Sequence, residues 1–115
     1  MITTDEKTIQ PIIDYICSQS GFVSLDKADF DYTCPKPVMM IDQKGQSIEE
    51  VIKAVTDSIS ENELPEKSLV FIESKGLMMS DIDMLKDAFK GLNVSKMGFA
   101  FNEPENARVR VILIG

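Results

Sequence analysis

Short apolar runs alternate with helical apolar stripes along most of this chain, and that alternation most constrains its fold. The stripes extend from about residue 48 to 60 and onward from Ser80. Strands that alternate with helices indicate parallel pairing through right-handed crossovers, so the sequence predicts an α/β fold. The runs "VMMID", "SLVFIES", "KMGFAF" and "RVRVILI" predict strands over residues 38–42, 68–74, 96–101 and 108–114.

The two crossover helices carry start signals. Ser47 and Glu50 have the spacing of a capping box, and Ser80 is placed as the N-cap of the second helix. Right-handed crossovers that move the same way across a sheet place both helices on one face. The apolar stripes consist of Ile48, Val51, Ile52, Val55 and Ile59, and then Ile82, Leu85, Ala88, Phe89 and Leu92.

A leading helix precedes the first strand. Thr3 and Glu6 again have capping-box spacing, and Gly21 is placed to end the helix. Because proline removes a backbone donor, the helix either begins near Pro11 or is kinked there. This helix is the element left to cover the second sheet face, so we expect it to form part of the core. Its stripe consists of Ile9, Ile12, Ile13 and Ile16.

The length and charge of the chain limit its class. A chain of 115 residues fits one folded unit, with residues 1–37 as the leading part and 38–115 as the main α/β part. The 19 acidic and 12 basic residues give a net charge of −7, which disfavours nucleic acid as a partner. The sequence has no apolar run of membrane-spanning length and no signal-peptide pattern at its start, so we expect no membrane span and a cytoplasmic location.

Cysteine and histidine usage argues against several kinds of site. The chain has two cysteines, Cys17 and Cys34, without Cys-x-x-Cys spacing, and it has no histidine. Zinc or haem ligation and the usual Cys/His and Ser/His nucleophile systems are therefore disfavoured. We expect two reduced thiols, no metal site and no cofactor.

The segment "GFVSLDKADF", residues 21–30, is the candidate functional motif. Asp26 and Asp29 lie three residues apart, and two interpretations stay open on the residues alone. The carboxylates are either solvated or helix-capping acids, or they complete a site on a partner. The following "DYTCPKP", with Pro35 and Pro37, predicts a loop.

The order of these pieces resembles the back half of FtsZ, the bacterial tubulin-like division protein. The "GFVSLDKAD" segment is similar to the family's synergy loop, which reads roughly G-L-x-N-x-D-F-A-D, and "ARVRVILIG" is similar to the end of its C-terminal domain. The likeness covers nearly the whole chain, and it is the colinearity of the pieces that carries it. The family's glycine-rich phosphate loop, its long helix after the acidic loop and its C-terminal tail have no counterpart here, so we expect no GTP binding by this chain alone.

The resemblance also implies a strand order. The residues alone would pair the last two strands as a hairpin, whereas the family's domain is a two-layer sandwich with a four-stranded mixed sheet in the order 1-4-2-3. The last strand is apolar on both faces, which is typical of a central strand. Arg108 and Arg110 mark where this strand leaves the core.

The resemblance implies a function through its acidic loop. In the family, synergy-loop carboxylates of one subunit position water at the nucleotide of the next. Asp26 and Asp29 match those carboxylates, Ser24 replaces the motif's asparagine, and Lys27 adds a charge that could pair with the carboxylates and blunt this role. The chain is thus expected to be a non-catalytic interaction module that docks on or caps FtsZ-type filaments.

Two other functions are open. The β-α-β-α-β-β order also occurs in small trimeric enzymes of the chorismate mutase kind, whose dianion site needs convergent cations, but the chain has only Arg108 and Arg110 as arginines. Alternatively, the partner is a second copy of the chain, paired through an exposed sheet edge.

Overall fold

The computed structural model describes residues 2–19, 23–61 and 67–115, and these form four helices and five strands. The helices are α1 (Glu6–Ser18), α2 (Lys27–Thr33), α3 (Ile48–Glu61) and α4 (Met79–Ala88). The strands are β1 (Ile2–Thr3), β2 (Met40–Gly45), β3 (Ser68–Ser74), β4 (Val94–Ala100) and β5 (Val109–Ile114).

The strands form one mixed sheet in the order β1-β2-β5-β3-β4. β5 lies between β2 and β3 and is antiparallel to both, whereas β3 and β4 are parallel. The central place of β5 follows from its side chains. Val111 and Leu113 are buried on one face of the sheet and Ile112 and Ile114 on the other, so each face needs a covering layer.

The mixed α/β class agrees with the sequence, but the predicted two-layer, four-stranded sheet differs in detail. β1 pairs with β2 at Ile2 and Thr3 and adds a fifth strand at the edge. The strands predicted from sequence follow one another as β2-β5-β3-β4 inside this larger sheet. The last two strands do not form a hairpin, because β3 separates them.

Helices cover both faces of the sheet, which makes three layers. α3 and α4 pack on one face around Val55, Ile72 and Leu85. α1 and α2 pack on the other face, where Ile9 and Phe30 meet Ile112. The leading helix is therefore part of the core, as expected from its isoleucine stripe.

Several element boundaries differ from the sequence predictions. α1 begins after Asp5, whose carboxylate accepts a hydrogen bond from the Lys7 amide, so Thr3 is not its N-cap. Pro11 lies within α1 on its exposed side. α1 ends at Ser18, and the stop predicted at Gly21 lies outside the described residues.

The two crossover helices also show how their starts are stabilised. At α3 the Ser47 hydroxyl accepts a hydrogen bond from the Glu50 amide over 3.2 Å, as the capping pattern predicts. α4 begins at Met79 instead of after Ser80, because the Asp81 carboxylate accepts a hydrogen bond from the Met78 amide. None of the helices described here has the length and apolar character that crossing a membrane would require.

Candidate functional site

The acidic segment, Ser24 to Asp29, forms the start of α2. Asp26 is the N-cap: its Oδ1 accepts a hydrogen bond from the Asp29 amide over 3.1 Å, and Asp29 Oδ2 accepts one from the Asp26 amide over 3.0 Å. This reciprocal arrangement is a capping box built from two aspartates. The predicted loop at 31–37 is therefore partly wrong, because its first three residues belong to α2.

A lysine from the sheet pairs with this segment. Lys96 of β4 donates a hydrogen bond from Nζ to Asp29 Oδ2 over 3.1 Å. The backbone hydrogen bond within the capping box, together with the Lys96 ammonium, lowers the pKa of Asp29. Among the described residues Lys27 forms no ion pair with either aspartate. The cation that pairs with the segment is Lys96, and not Lys27 as the sequence suggests.

One oxygen of each carboxylate stays available. No hydrogen bond from the described residues reaches Asp26 Oδ2 or Asp29 Oδ1, and Ser24 is exposed with no side-chain hydrogen bond to them either. Asp26 is exposed, and the side chain of Asp29 is 25% exposed. The segment can therefore accept hydrogen bonds from a partner or a water without breaking its own cap.

Buried neighbours hold the segment in place. Leu25 is 1% exposed, and a Cβ placed on Gly98 would lie 2.7 Å from Leu25 Cγ, so the strand and the segment touch closely. Val23 pairs with Phe99 through a 2.8 Å bond from the Phe99 amide. Phe30 anchors the other side of α2 in the core. These contacts fix the carboxylates relative to the sheet.

A polar cluster under α1 was not predicted from the sequence. Arg110 binds Asp42 through two bonds, from Nε to Oδ1 over 3.0 Å and from the terminal nitrogen to Oδ2 over 2.7 Å. Tyr15 donates its hydroxyl hydrogen bond to Glu73, and its ring lies 5.7 Å from the Arg110 guanidinium carbon. Glu73 is opposite Arg110 in the β3–β5 ladder and is 2% exposed.

The environment of the cluster raises the pKa values of two of its members, Tyr15 and Arg110. Burial of the Tyr15 hydroxyl, followed by its hydrogen bond to Glu73, raises the pKa of Tyr15 to about 12. The bonds to Asp42 raise the pKa of Arg110. Asn102 Nδ2 donates to Glu73 over 3.3 Å, so the carboxylate is held from two sides. The arrangement satisfies buried charges and attaches α1 to the sheet.

The two arginines lie in separate surroundings. Arg110 is held by Asp42, whereas Arg108 lines a cavity of about 160 Å³ at the N-terminal ends of α3 and α4. Two carboxylates, Glu49 and Asp81, also line that cavity, so its charges do not favour an anion. Arg108 and Arg110 therefore do not converge on one site within the described part of a single chain.

The cysteines are unpaired. Cys34 is buried directly after α2, Cys17 lies in α1, and burial raises the pKa of both thiols, which keeps them protonated. Within residues 2–19, 23–61 and 67–115, no group of three or more Cys, Asp or Glu side chains is placed to hold a metal ion.

The fold and the site together define a mixed α/β domain with a fixed acidic segment on its surface. Comparison with known proteins adds no family: no protein-family description and no curated protein matches this chain.

Proposed function

We propose that this chain is a non-catalytic interaction domain that docks on a complete FtsZ-type subunit through Ser24, Asp26 and Asp29. The observation that carries the proposal is the acidic segment itself. It is anchored by Leu25 and Phe30, and one oxygen of each carboxylate faces no donor among the described residues. A fixed segment with open acceptors is suited to completing a site on another protein.

The chemistry of the segment supports a water-positioning role. A carboxylate that orients an attacking water must lie within hydrogen-bond reach of it and must stay ionised. The lowered pKa of Asp29 keeps that carboxylate ionised at neutral pH. The Asp26 amide and the Lys96 ammonium both donate to Asp29 Oδ2, so the water would contact Oδ1. The partner must supply the nucleotide and its phosphate-binding loop.

The choice of an FtsZ-type partner rests on the resemblance of "GFVSLDKAD" to the synergy loop of that family. The relative order β2-β5-β3-β4, with an antiparallel β5 near the centre, is compatible with the sheet that the resemblance implies. A domain that presents the acidic loop without a nucleotide pocket would dock on the nucleotide-bearing face of a filament end. It would then offer the next subunit nothing to bind.

The test uses a variant that removes both carboxylates and keeps the helix cap. Asp26→Ser with Asp29→Gln retains the Ser-x-x-Gln form of the capping box, so α2 should persist. Sedimentation velocity measures binding to a GTP-loaded FtsZ, and phosphate release measures turnover. We expect the wild-type chain to bind and the variant to lose its effect on turnover, with an affinity loss below about tenfold.

A matched control separates the segment from overall charge. Asp14→Asn with Asp57→Asn removes two exposed carboxylates from α1 and α3 and changes the net charge equally. It should behave as wild type in both assays. Absence of any complex at equimolar protein would refute the proposal, and so would equal effects of the control and the test variant.

A further inference from the structure

A second surface, next to the acidic segment, lies between α4 and the outer edge of β4. This groove has a volume of about 490 Å³ and an apolar floor. Every charged residue known to line it, among those the structure describes, is a lysine, in a chain whose net charge is −7. The lysines are Lys86, Lys90 and Lys96, and the apolar lining consists of Val23, Phe89, Leu92, Val94, Met97 and Phe99.

Two of the three lysines have no anionic partner within the part of the chain that the structure describes. Lys96 is bound to Asp29, but neither Lys86 nor Lys90 forms an ion pair with any described residue. Lys86 lies in the last turn of α4 and Lys90 lies two residues beyond its end, and both line the groove. An apolar floor with unpaired cations at its rim complements a segment that carries both apolar and acidic side chains.

The edge of β4 offers backbone groups to the same segment. Phe99 directs its N–H away from β3, toward Val23, and Met97 has the same orientation because backbone groups alternate along a parallel strand. No hydrogen bond to Met97 on this outer side is found among the described residues. A bound peptide can therefore pair with Met97 while its side chains contact the groove.

The edge is poorly suited to a second copy of the chain. Two copies joined at this edge would bring their lysine rims together, and like charges repel. We infer that the groove between α4 and β4 binds an acidic, apolar-containing peptide segment of a partner protein in an extended conformation.

The test uses a fluorescently labelled peptide of about ten residues with Val at its centre and Glu at both ends, so that apolar side chains can cover the floor of the groove and carboxylates can reach the lysines at its rim. Fluorescence anisotropy should show saturable binding that weakens as salt is raised, because exposed charges are screened. A peptide with Lys in place of Glu should not bind. In spectra of labelled protein, the Met97 amide resonance should shift on addition of the Glu–Val peptide.

Paired variants locate the binding site. Lys86→Glu with Lys90→Glu should lower the affinity about tenfold or more. Lys44→Glu with Lys53→Glu alters two exposed lysines on β2 and α3, changes the net charge equally and should leave the affinity within about twofold. Thermal melts of both variants verify that they remain folded.

Four results would overturn the inference. The first three are no binding of the Glu–Val peptide, equal loss of affinity in both variants, and equal binding of the Lys–Val peptide. The fourth is a change in the sedimentation coefficient of the peptide-free chain on Lys86→Glu with Lys90→Glu, which would assign the groove to a second copy instead. None of these results depends on whether Asp26 and Asp29 act on a nucleotide.

Discussion

At the scale of single residues, the charged side chains of the acidic segment and of the cluster beneath α1 are held by specific hydrogen bonds. Asp26 and Asp29 cap α2 with one oxygen each, which leaves the second oxygen of each carboxylate without a donor among the described residues. The spacing of the two aspartates was visible in the sequence, and helix capping was one of the two interpretations it left open. The role toward a partner stays a prediction.

The polar cluster under α1 could not be read from the sequence. Tyr15 and Glu73 are 58 positions apart, and Asn102 is a further 29 positions from Glu73. Each looks like an ordinary surface residue in its own segment. Only the sheet register, which places Glu73 opposite Arg110 and below α1, creates the need for these bonds.

The cluster leads to a pH prediction for Tyr15. Its pKa of about 12 in the folded chain lies above the ordinary value of about 10. Because the folded chain holds the tyrosine proton more tightly than the unfolded chain, Tyr15 stabilises the fold at every pH below the unfolded pKa. That contribution is lost as the pH rises from the unfolded pKa through the folded pKa. The stability difference between wild type and Tyr15→Phe should therefore shrink between about pH 10 and pH 12, as measured by urea unfolding.

A direct titration checks the same prediction. In the Tyr32→Phe variant, Tyr15 is the remaining tyrosine, since the chain has two. Its ultraviolet absorbance should change near pH 12, with the ordinary value near 10 as the reference. A transition at the ordinary value would show that the hydroxyl is not held against Glu73 in solution.

At the scale of elements, long apolar patterns predict where β3 and α3 lie, but two short elements are not predicted. The stripe from Ile82 to Leu92 extends past α4, which ends at Ala88. The run at 68–74 is β3 with the predicted bounds, and the stripe from Ile48 belongs to α3. β1 has two residues and α2 has seven, too few to show a clear periodicity. The two prolines after Thr33 predict a loop that begins at Asp31, although α2 continues to Thr33.

The element-scale prediction concerns α1 as a structural layer. Ile13 is 4% exposed and packs against the sheet, so Ile13→Ala should lower the free energy of unfolding by about 2–5 kcal/mol. The exposed Gln10 on the same helix provides the control, because Gln10→Ala should change stability by less than about 0.5 kcal/mol. Urea denaturation measures both, and an unchanged midpoint for Ile13→Ala would mean that α1 is not part of the core.

At the scale of the whole molecule, the sheet order explains where the two candidate surfaces lie. β4 is an edge strand, and both surfaces adjoin it: the acidic segment through Lys96 and Val23, and the lysine groove through Met97. Opposite charges therefore meet at one edge of an otherwise acidic protein. The apolar character of β5 on both faces predicts its central place in the sheet. No pattern in the sequence predicts which residues contact the outer edge of β4.

Filament length tests the proposal that this chain ends FtsZ-type filaments by docking through its acidic segment. Electron microscopy of an FtsZ polymerised with GTP should show shorter filaments at substoichiometric amounts of the wild-type chain, because each docked copy offers no nucleotide to the next subunit. The Asp14→Asn with Asp57→Asn control should shorten filaments equally. Filaments of unchanged length at equimolar wild-type chain, with unchanged GTP turnover, would contradict the account.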